Sequence, residues 1–306
     1  MTSIDISDPD PAAVKGKTAI ITGGSSGIGR AAATLLAERG AAQVLLFDPF
    51  PPADLNSTEW PSSIIKYVKC DVTSWTELRT AFEQVDRVDY VFSNAGIGEK
   101  QSYFAETLDE EGRLAEPSTE LIDVEVRGHL NVIKLAWYHM KKQGVKGSIV
   151  VTTSGTGLVQ WQSLAVYSSV KLALVGVIRS LRSLMILDGI TINGVAPSAT
   201  ITPFIPAHLV EPVKAAGAPV STARQAALAL IYSAIAHQPR RVEAYGKDKD
   251  SEIEKPGRWN GRVILVLGDK YTEIEETYAN LRSTWLGREN ARFYRIQQAA
   301  TDIRNI

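Results

Sequence analysis

A chain of 306 residues, 44% hydrophobic and 22% charged, can bury a sizeable core and keeps the polarity of a water-soluble protein. Its formal net charge of −1 excludes the basic signature of nucleic-acid or anionic-membrane binding, and its one cysteine, Cys70, excludes an internal disulfide framework. The first residues are polar and acidic, unlike a signal or transit peptide, and no apolar run approaches a membrane span, so a cytoplasmic protein in a reducing compartment is expected.

The first predicted strand, KTAIIT (17–22), runs through glycines into GRAAATLLAERG, a helix that stops at Gly40. AQVLLFD (42–48) is the second strand, followed by a Pro-rich loop. IIKYVKC (64–70), VDYVFS (88–93), GSIVVTT (147–153), ITINGVA (190–196) and GRVILVL (261–267) continue the series. These runs are almost unbroken in apolar character, as strands covered by helices on both faces must be. Long helical patterns over 118–143 and 163–186 separate the later strands. Strands alternating with helices predict an α/β fold: a doubly wound parallel sheet with right-handed crossovers, a Rossmann fold with helices on both faces. One domain is expected, with its core over about 14–268 and a helical C-terminal extension over about 269–306. Three segments lie outside the minimal core. Residues 97–117 read as a long polar connection, and 238–260 as a charged, solvated excursion. The tail places Tyr278, Leu281, Trp285 and Leu286 on an apolar face that would pack on the body or on a sister subunit.

Directly after the first strand, TGGSSGIGR (Thr22 to Arg30) lets the backbone turn tightly and opens a helix whose free N–H groups favour an anion. That position makes dinucleotide binding the expected use of Gly23, Ser25, Ser26, Gly27, Ile28 and Gly29. Asp48 closes the second strand, where a carboxylate can accept hydrogen bonds from ribose hydroxyls and repel a 2′-phosphate, so the expected cofactor is NAD(H) rather than NADP(H).

The order T-G-x-x-x-G-x-G, then Asp71–Val72, then Asn94–Ala95–Gly96, then Ser154, Tyr167-x-x-x-Lys171, and Pro197 with Thr202, resembles the short-chain dehydrogenase/reductase family over residues 18 to 202. The strand at 261–267 extends the match, and the tail resembles extensions of some fungal-type members, which points toward secondary metabolism. The resemblance implies that Ser154 orients the carbonyl or alcohol oxygen and that Tyr167 passes the proton. Lys171, one helical turn beyond, would favour the phenolate and bind the nicotinamide ribose. It further implies that Asp71 and Val72 bracket the adenine, that Asn94, Ala95 and Gly96 line the cleft floor, and that Pro197, Thr200 and Thr202 hold the carboxamide. A homodimer or homotetramer built on the two long helices is also implied.

Two positions depart from the family. Ser198 stands where a glycine usually follows the proline. Glu125, in DVEVRG, stands where the family's tetrad has an asparagine that holds a relay water. A glutamate there can hold water, pair with Lys171, or weaken dehydrogenase activity. The loop over 203–220, with Leu158, Val159 and Trp161, supplies apolar walls suited to a moderately large, mostly apolar secondary alcohol or ketone. His129, His139, His208 and His237 do not cluster at metal-ligand spacing, with His139 and His237 read as helix-end or surface residues, so no metal is expected. Competing readings are a scaffold recruited to cyclisation or isomerisation, and a non-catalytic dinucleotide-binding protein.

Overall fold

A computed structural model describes residues 3–6, 11–55, 57, 61, 63–205 and 207–304. Nine strands form the central sheet: β1 (Ser3–Ile4), β2 (Thr18–Thr22), β3 (Gln43–Asp48), β4 (Ile65–Lys69), β5 (Tyr90–Ser93), β6 (Ser148–Thr152), β7 (Thr191–Pro197), β8 (Val263–Leu267) and β9 (Lys270–Glu273). They lie side by side in the order β1-β9-β8-β7-β6-β5-β2-β3-β4. The seven from β8 to β4 are parallel, while β9 and β1 add antiparallel pairs at one edge. The chain leaves β2 toward β3 and β4, then returns to β5 on the other side of β2. That reversal opens a crevice at the carboxyl ends of β2 and β5, the usual ligand position in such sheets.

Alternate residues of one strand feed two cores, as the period of two requires. Ile21 joins Leu36 of helix α1 (Gly27–Glu38) and, further along the chain, Leu230 and Ile231 on one face. Ile20 faces the opposite layer, with Phe82 of α2 (Trp75–Glu83), Val132 of α3 (His129–Lys142) and Leu174 of α4 (Ala165–Met185). After α4 come α5 (Ala207–Ala215) and α6 (Ala223–Ile235), the latter carrying Leu230 and Ile231 and opened by a capping box between Thr222 and Gln225.

The structure corrects three sequence readings. The tail does not begin as a helix: β8 turns through Gly268 (φ 64°) and Asp269 into β9, a two-residue hairpin with glycine at the left-handed corner. The helix expected over 118–143 is interrupted by a π-helical turn, Asp123–Gly128, before α3 starts. Residues 238–260 are not a solvated excursion. Val242, Ala244 and Trp259 are buried, and the Arg258 guanidinium donates to the carbonyls of Lys146 (2.8 Å), Gly189 (2.8 Å) and Gly147 (2.9 Å). His139 is a helix-end residue, in the last turn of α3 and buried against Phe82 with ring centroids 5.6 Å apart, and His237 is exposed. The side chain of His208, like Pro206 in the predicted substrate loop, falls outside the described residues.

The polar connection 97–117 is mostly exposed, as expected. The tail does pack on the body, yet through charge more than through its apolar face: Leu281 and Trp285 are exposed, while buried Glu275 pairs with Arg179 (2.8 Å) and Arg182 (3.4 Å). No helix of the described residues is long and apolar enough to cross a membrane.

Candidate active site

The glycine loop leaves β2 at Thr22, whose hydroxyl accepts from the N–H groups of Asn94 (3.0 Å) and Ala95 (3.1 Å). The Asn94 amide donates to the Thr22 carbonyl (3.2 Å), and its oxygen accepts from Thr152 (2.9 Å). The two strand ends are thereby tied across the crevice. Gly23 has φ 64°, and a β-carbon there would stand 2.7 Å from Ala95 Cα; one at Gly29 would stand 2.3 Å from the Gly23 carbonyl oxygen. A backbone this close, followed by the N-terminus of α1 after Ser26 with its unpaired N–H groups, is a cradle that fits a dinucleotide pyrophosphate. Gly27, also at positive φ, faces Thr202, which brings the segment after β7 over the same loop; Ile28 follows in the first turn of α1.

Asp48 is nearly buried at the end of β3, held by the N–H groups of Ser25 (3.1 Å) and Phe50 (3.0 Å). Each of its oxygens keeps a further lone pair. Asp71 instead turns inward on its own loop, accepting from the Thr73 N–H and hydroxyl at 2.8 Å, and Val72 is buried against Gly128. Pro197 ends β7, the Thr200 hydroxyl donates to the Ser198 carbonyl (2.8 Å), and Thr200–Ile201 pairs with Ser221–Thr222. No described non-glycine residue has positive φ, so Ser198 fits without the left-handed conformation a glycine would permit.

Ser154 follows β6 and caps a short 3₁₀ turn, its oxygen accepting from the Thr156 N–H (3.2 Å) and hydroxyl (3.0 Å). Tyr167 and Lys171 project from the same face of α4, with Lys171 Nζ 5.4 Å from the Tyr167 ring centroid. Ser154 lies near enough to the Tyr167 phenol to favour its ionised form, and Lys171 Nζ donates to the Thr152 carbonyl (3.2 Å). Sequence-distant Ser154, Tyr167 and Lys171 therefore converge beside the glycine loop.

Beneath them the π-helical turn places Glu125 with no solvent exposure, its Oε2 2.7 Å from Lys171 Nζ. Alignment makes this a close ion pair rather than a good hydrogen bond. Glu125 Oε1 accepts from the Ile97 N–H (3.0 Å), and a β-carbon on Gly96 would lie 2.6 Å from that oxygen, so Gly96 makes room for the carboxylate. His129, one turn on and fully buried, stands 3.7 Å from Glu125 Oε2 and shares a 2.7 Å hydrogen bond with Ser93.

The charges follow from these contacts. Burial opposes the ionised form of Glu125, but Lys171 and then His129 hold its carboxyl below the usual range. Burial likewise opposes the Lys171 ammonium, and Glu125 and Tyr167 outweigh it, raising the lysine. The Tyr167 phenol is raised first by burial; Lys171 pulls it down, Glu125 pushes it back up, and the nearby Ser154 hydroxyl lowers it. His129 is pushed down by burial and stays neutral near pH 7, against the pull of Glu125.

Phe204, in the loop expected to wall the substrate, faces Tyr167 with ring centroids 6.0 Å apart. Glu99 escaped the sequence reading; it accepts from the Tyr167 N–H (2.9 Å). Leu158 is half-buried, while Val159 and Trp161 are exposed. A cavity of about 370 Å³ lies along Ile201, Thr202, Pro203, Ile205 and Val210. Among the described residues no group of three or more potential metal ligands converges.

A dinucleotide cradle on a doubly wound sheet, facing a buried Ser–Tyr–Lys set, defines the class of nicotinamide-dependent oxidoreductases. Comparison with known proteins gives the family: a family model described as short chain dehydrogenase matches residues 17–208, and the chain belongs to that family. The chain is 47% identical over 304 residues to the short-chain dehydrogenase/reductase prx4 of Penicillium rubens, covering 99% of this chain and 90% of that one. It is 45% identical to the short-chain dehydrogenase/reductase ATR7 of Stachybotrys chlorohalonatus, covering 100% and 95%. The (+)-cis,trans-nepetalactol synthase NEPS1 of Nepeta racemosa is 33% identical over 62% of this chain and 70% of its own. Among solved structures, levodione reductase superposes with a TM-score of 0.60 at 26% identity, covering 71% and 90%. Members of the family bind nicotinamide dinucleotides.

Proposed function

We propose that the protein interconverts a ketone and a secondary alcohol on a moderately large, mostly apolar molecule, using NAD(H). The observation that carries this reading is the Lys171 ammonium held 5.4 Å from the Tyr167 ring centroid on the same face of α4, with Ser154 beside the phenol. A bound nicotinamide dinucleotide supplies or takes up the hydride. Ser154 then orients the substrate oxygen, and Tyr167 gives that oxygen a proton in reduction or removes one in oxidation. Lys171 holds the charge beneath the phenol and would hold the cofactor's ribose. Because Glu125 neutralises much of the lysine's field, the phenol stays protonated near neutral pH, which suits the reductive direction.

Asp48 supports NAD(H): a nearly buried carboxylate at the end of β3 can accept from ribose hydroxyls and repels a 2′-phosphate. The exposed apolar side chains of Val159, Trp161 and Phe204 at the mouth support an apolar substrate. By the same reading the protein is a homo-oligomer. A second reading, cyclisation or isomerisation with the cofactor incidental, is favoured by the Glu125–Lys171 pair and by the likeness to a nepetalactol synthase, since a protonated Tyr167 also serves acid catalysis.

Tyr167→Phe tests the assignment. It should retain NADH affinity in a calorimetric titration while kcat for ketone reduction falls by about 10²–10⁴-fold. Near-normal turnover would remove Tyr167 from the mechanism, and tighter NADPH than NADH binding to the wild type would remove the role given to Asp48.

A further inference from the structure

The connection that leaves β5 is stitched to both members of the catalytic pair. Ile97 N–H donates to Glu125, which holds Lys171, and Glu99 Oε2 accepts from the backbone N–H of Tyr167 (2.9 Å). The other oxygen of Glu99, Oε1, is shielded from solvent, and no donor among the described residues reaches it. The nearest cation along the chain, Lys100, pairs with Glu120 instead (3.4 Å), and the Gln101 amide donates to Thr107 (2.7 Å). A shielded carboxylate oxygen without a donor destabilises the protein that carries it, so such groups call for a functional account. Its surroundings give one. The Phe204 ring stands 3.8 Å from where a side chain on Gly98 would begin and faces Tyr167, so the segment that carries Glu99 runs beside the ring that faces Tyr167.

We infer that Glu99 determines substrate specificity: its Oε1 accepts a hydrogen bond from a hydroxyl on the substrate, on a carbon other than the one that reacts. This rests on the ketone–alcohol reading above and narrows it to hydroxylated ketones and diols with an otherwise apolar frame. The phenol oxygen of Tyr167 lies the length of its own side chain from the backbone nitrogen that Glu99 binds, so several bonds separate the recognised hydroxyl from the reacting carbon. An ionised carboxylate only accepts, which selects a donor at that place and rejects an ether or a second carboxylate. The Tyr167 N–H fixes the carboxylate, so little ordering is left for the substrate to supply.

Matched fused bicyclic ketones test this: decalones without, or with, one hydroxyl on the second ring, given to the wild type, Glu99→Gln and Glu99→Ala. For at least one positional isomer the hydroxylated compound should be preferred by the wild type roughly tenfold to hundredfold in kcat/KM. Glu99→Gln keeps an oxygen for the Tyr167 N–H but loses the charge, and its preference should fall sharply; Glu99→Ala should have none. The ratio is taken within each variant, so a general loss of turnover cancels. A second readout needs no turnover: calorimetric titration of decalols and decalindiols into the NADH complex, where alcohol and reduced dinucleotide cannot react. If no ketone is reduced but diols keep an advantage that Glu99→Gln abolishes, the inference stands and the oxidoreductase proposal falls. A wild-type ratio near one in both assays, or a ratio unchanged in both variants, overturns it.

Discussion

With its carboxylate 2.7 Å from Lys171 Nζ and no exposure to water, Glu125 changes which protonation state of Tyr167 the site favours. An asparagine there would leave the lysine's charge uncompensated beneath the phenol. A carboxylate cancels part of that field, so Tyr167, already raised by burial, is pushed higher still. Alcohol oxidation needs the phenolate, so its rate should climb only as pH approaches the raised value. In Glu125→Asn the negative charge is gone, the phenolate forms at lower pH, and the oxidation limb should move down the pH axis. Overlapping pH–rate profiles for the two proteins would show that Glu125 does not act on Tyr167. His129 does not substitute for the missing charge. Burial keeps it neutral, and its 3.7 Å distance from Glu125 is outside hydrogen-bond range.

At the scale of elements, α3 and α4 each keep an outward face that the chain itself leaves open. Leu130 and Tyr138, eight residues apart on α3, are exposed, as is Leu172 on α4. A two-fold axis across such faces buries the same patch on both copies. Light scattering at micromolar concentration should find a dimer or tetramer, and Tyr138→Lys with Leu130→Lys should shift it toward monomer; a monomeric wild type would contradict the assembly. The parallel strands could be read from the sequence because burial on both faces leaves them nearly all apolar, as in β2 and β7. β9, lying at the sheet's antiparallel edge, reads KYTE and carries no such signal. The π-helical turn was hidden too, since one widened turn barely alters helical periodicity, although it sets the position of Glu125. Residues 238–260 looked solvated because charge usually is; here Arg304 pairs with Asp248 (3.0 Å) and Arg258 with three carbonyls, so charge is buried by pairing. The glycine loop and Asp48 were expected from their places after β2 and at the end of β3, and Ser154, Tyr167 and Lys171 from the family resemblance. Glu99 was not, because its contact with Tyr167 spans 68 residues and depends on how the connection after β5 folds back.

Across the whole molecule, the reversal of strand order around β2 brings the glycine loop, Asn94, Ser154 and Pro197 to the same end of the sheet. The glycine cradle thereby meets the Ser–Tyr–Lys set. Under the proposed function this arrangement would serve transfer of a hydride to a carbonyl whose oxygen Tyr167 protonates, and it equally allows acid catalysis without redox change. Isotope tracing separates the two. The protein is given NADH deuterated at the transferring position of the nicotinamide together with hydroxylated decalones, and the products are weighed by mass spectrometry. The proposed function predicts one deuterium on the new carbinol carbon for each NADH consumed. Substrate converted with the deuterium still in the dinucleotide would contradict it.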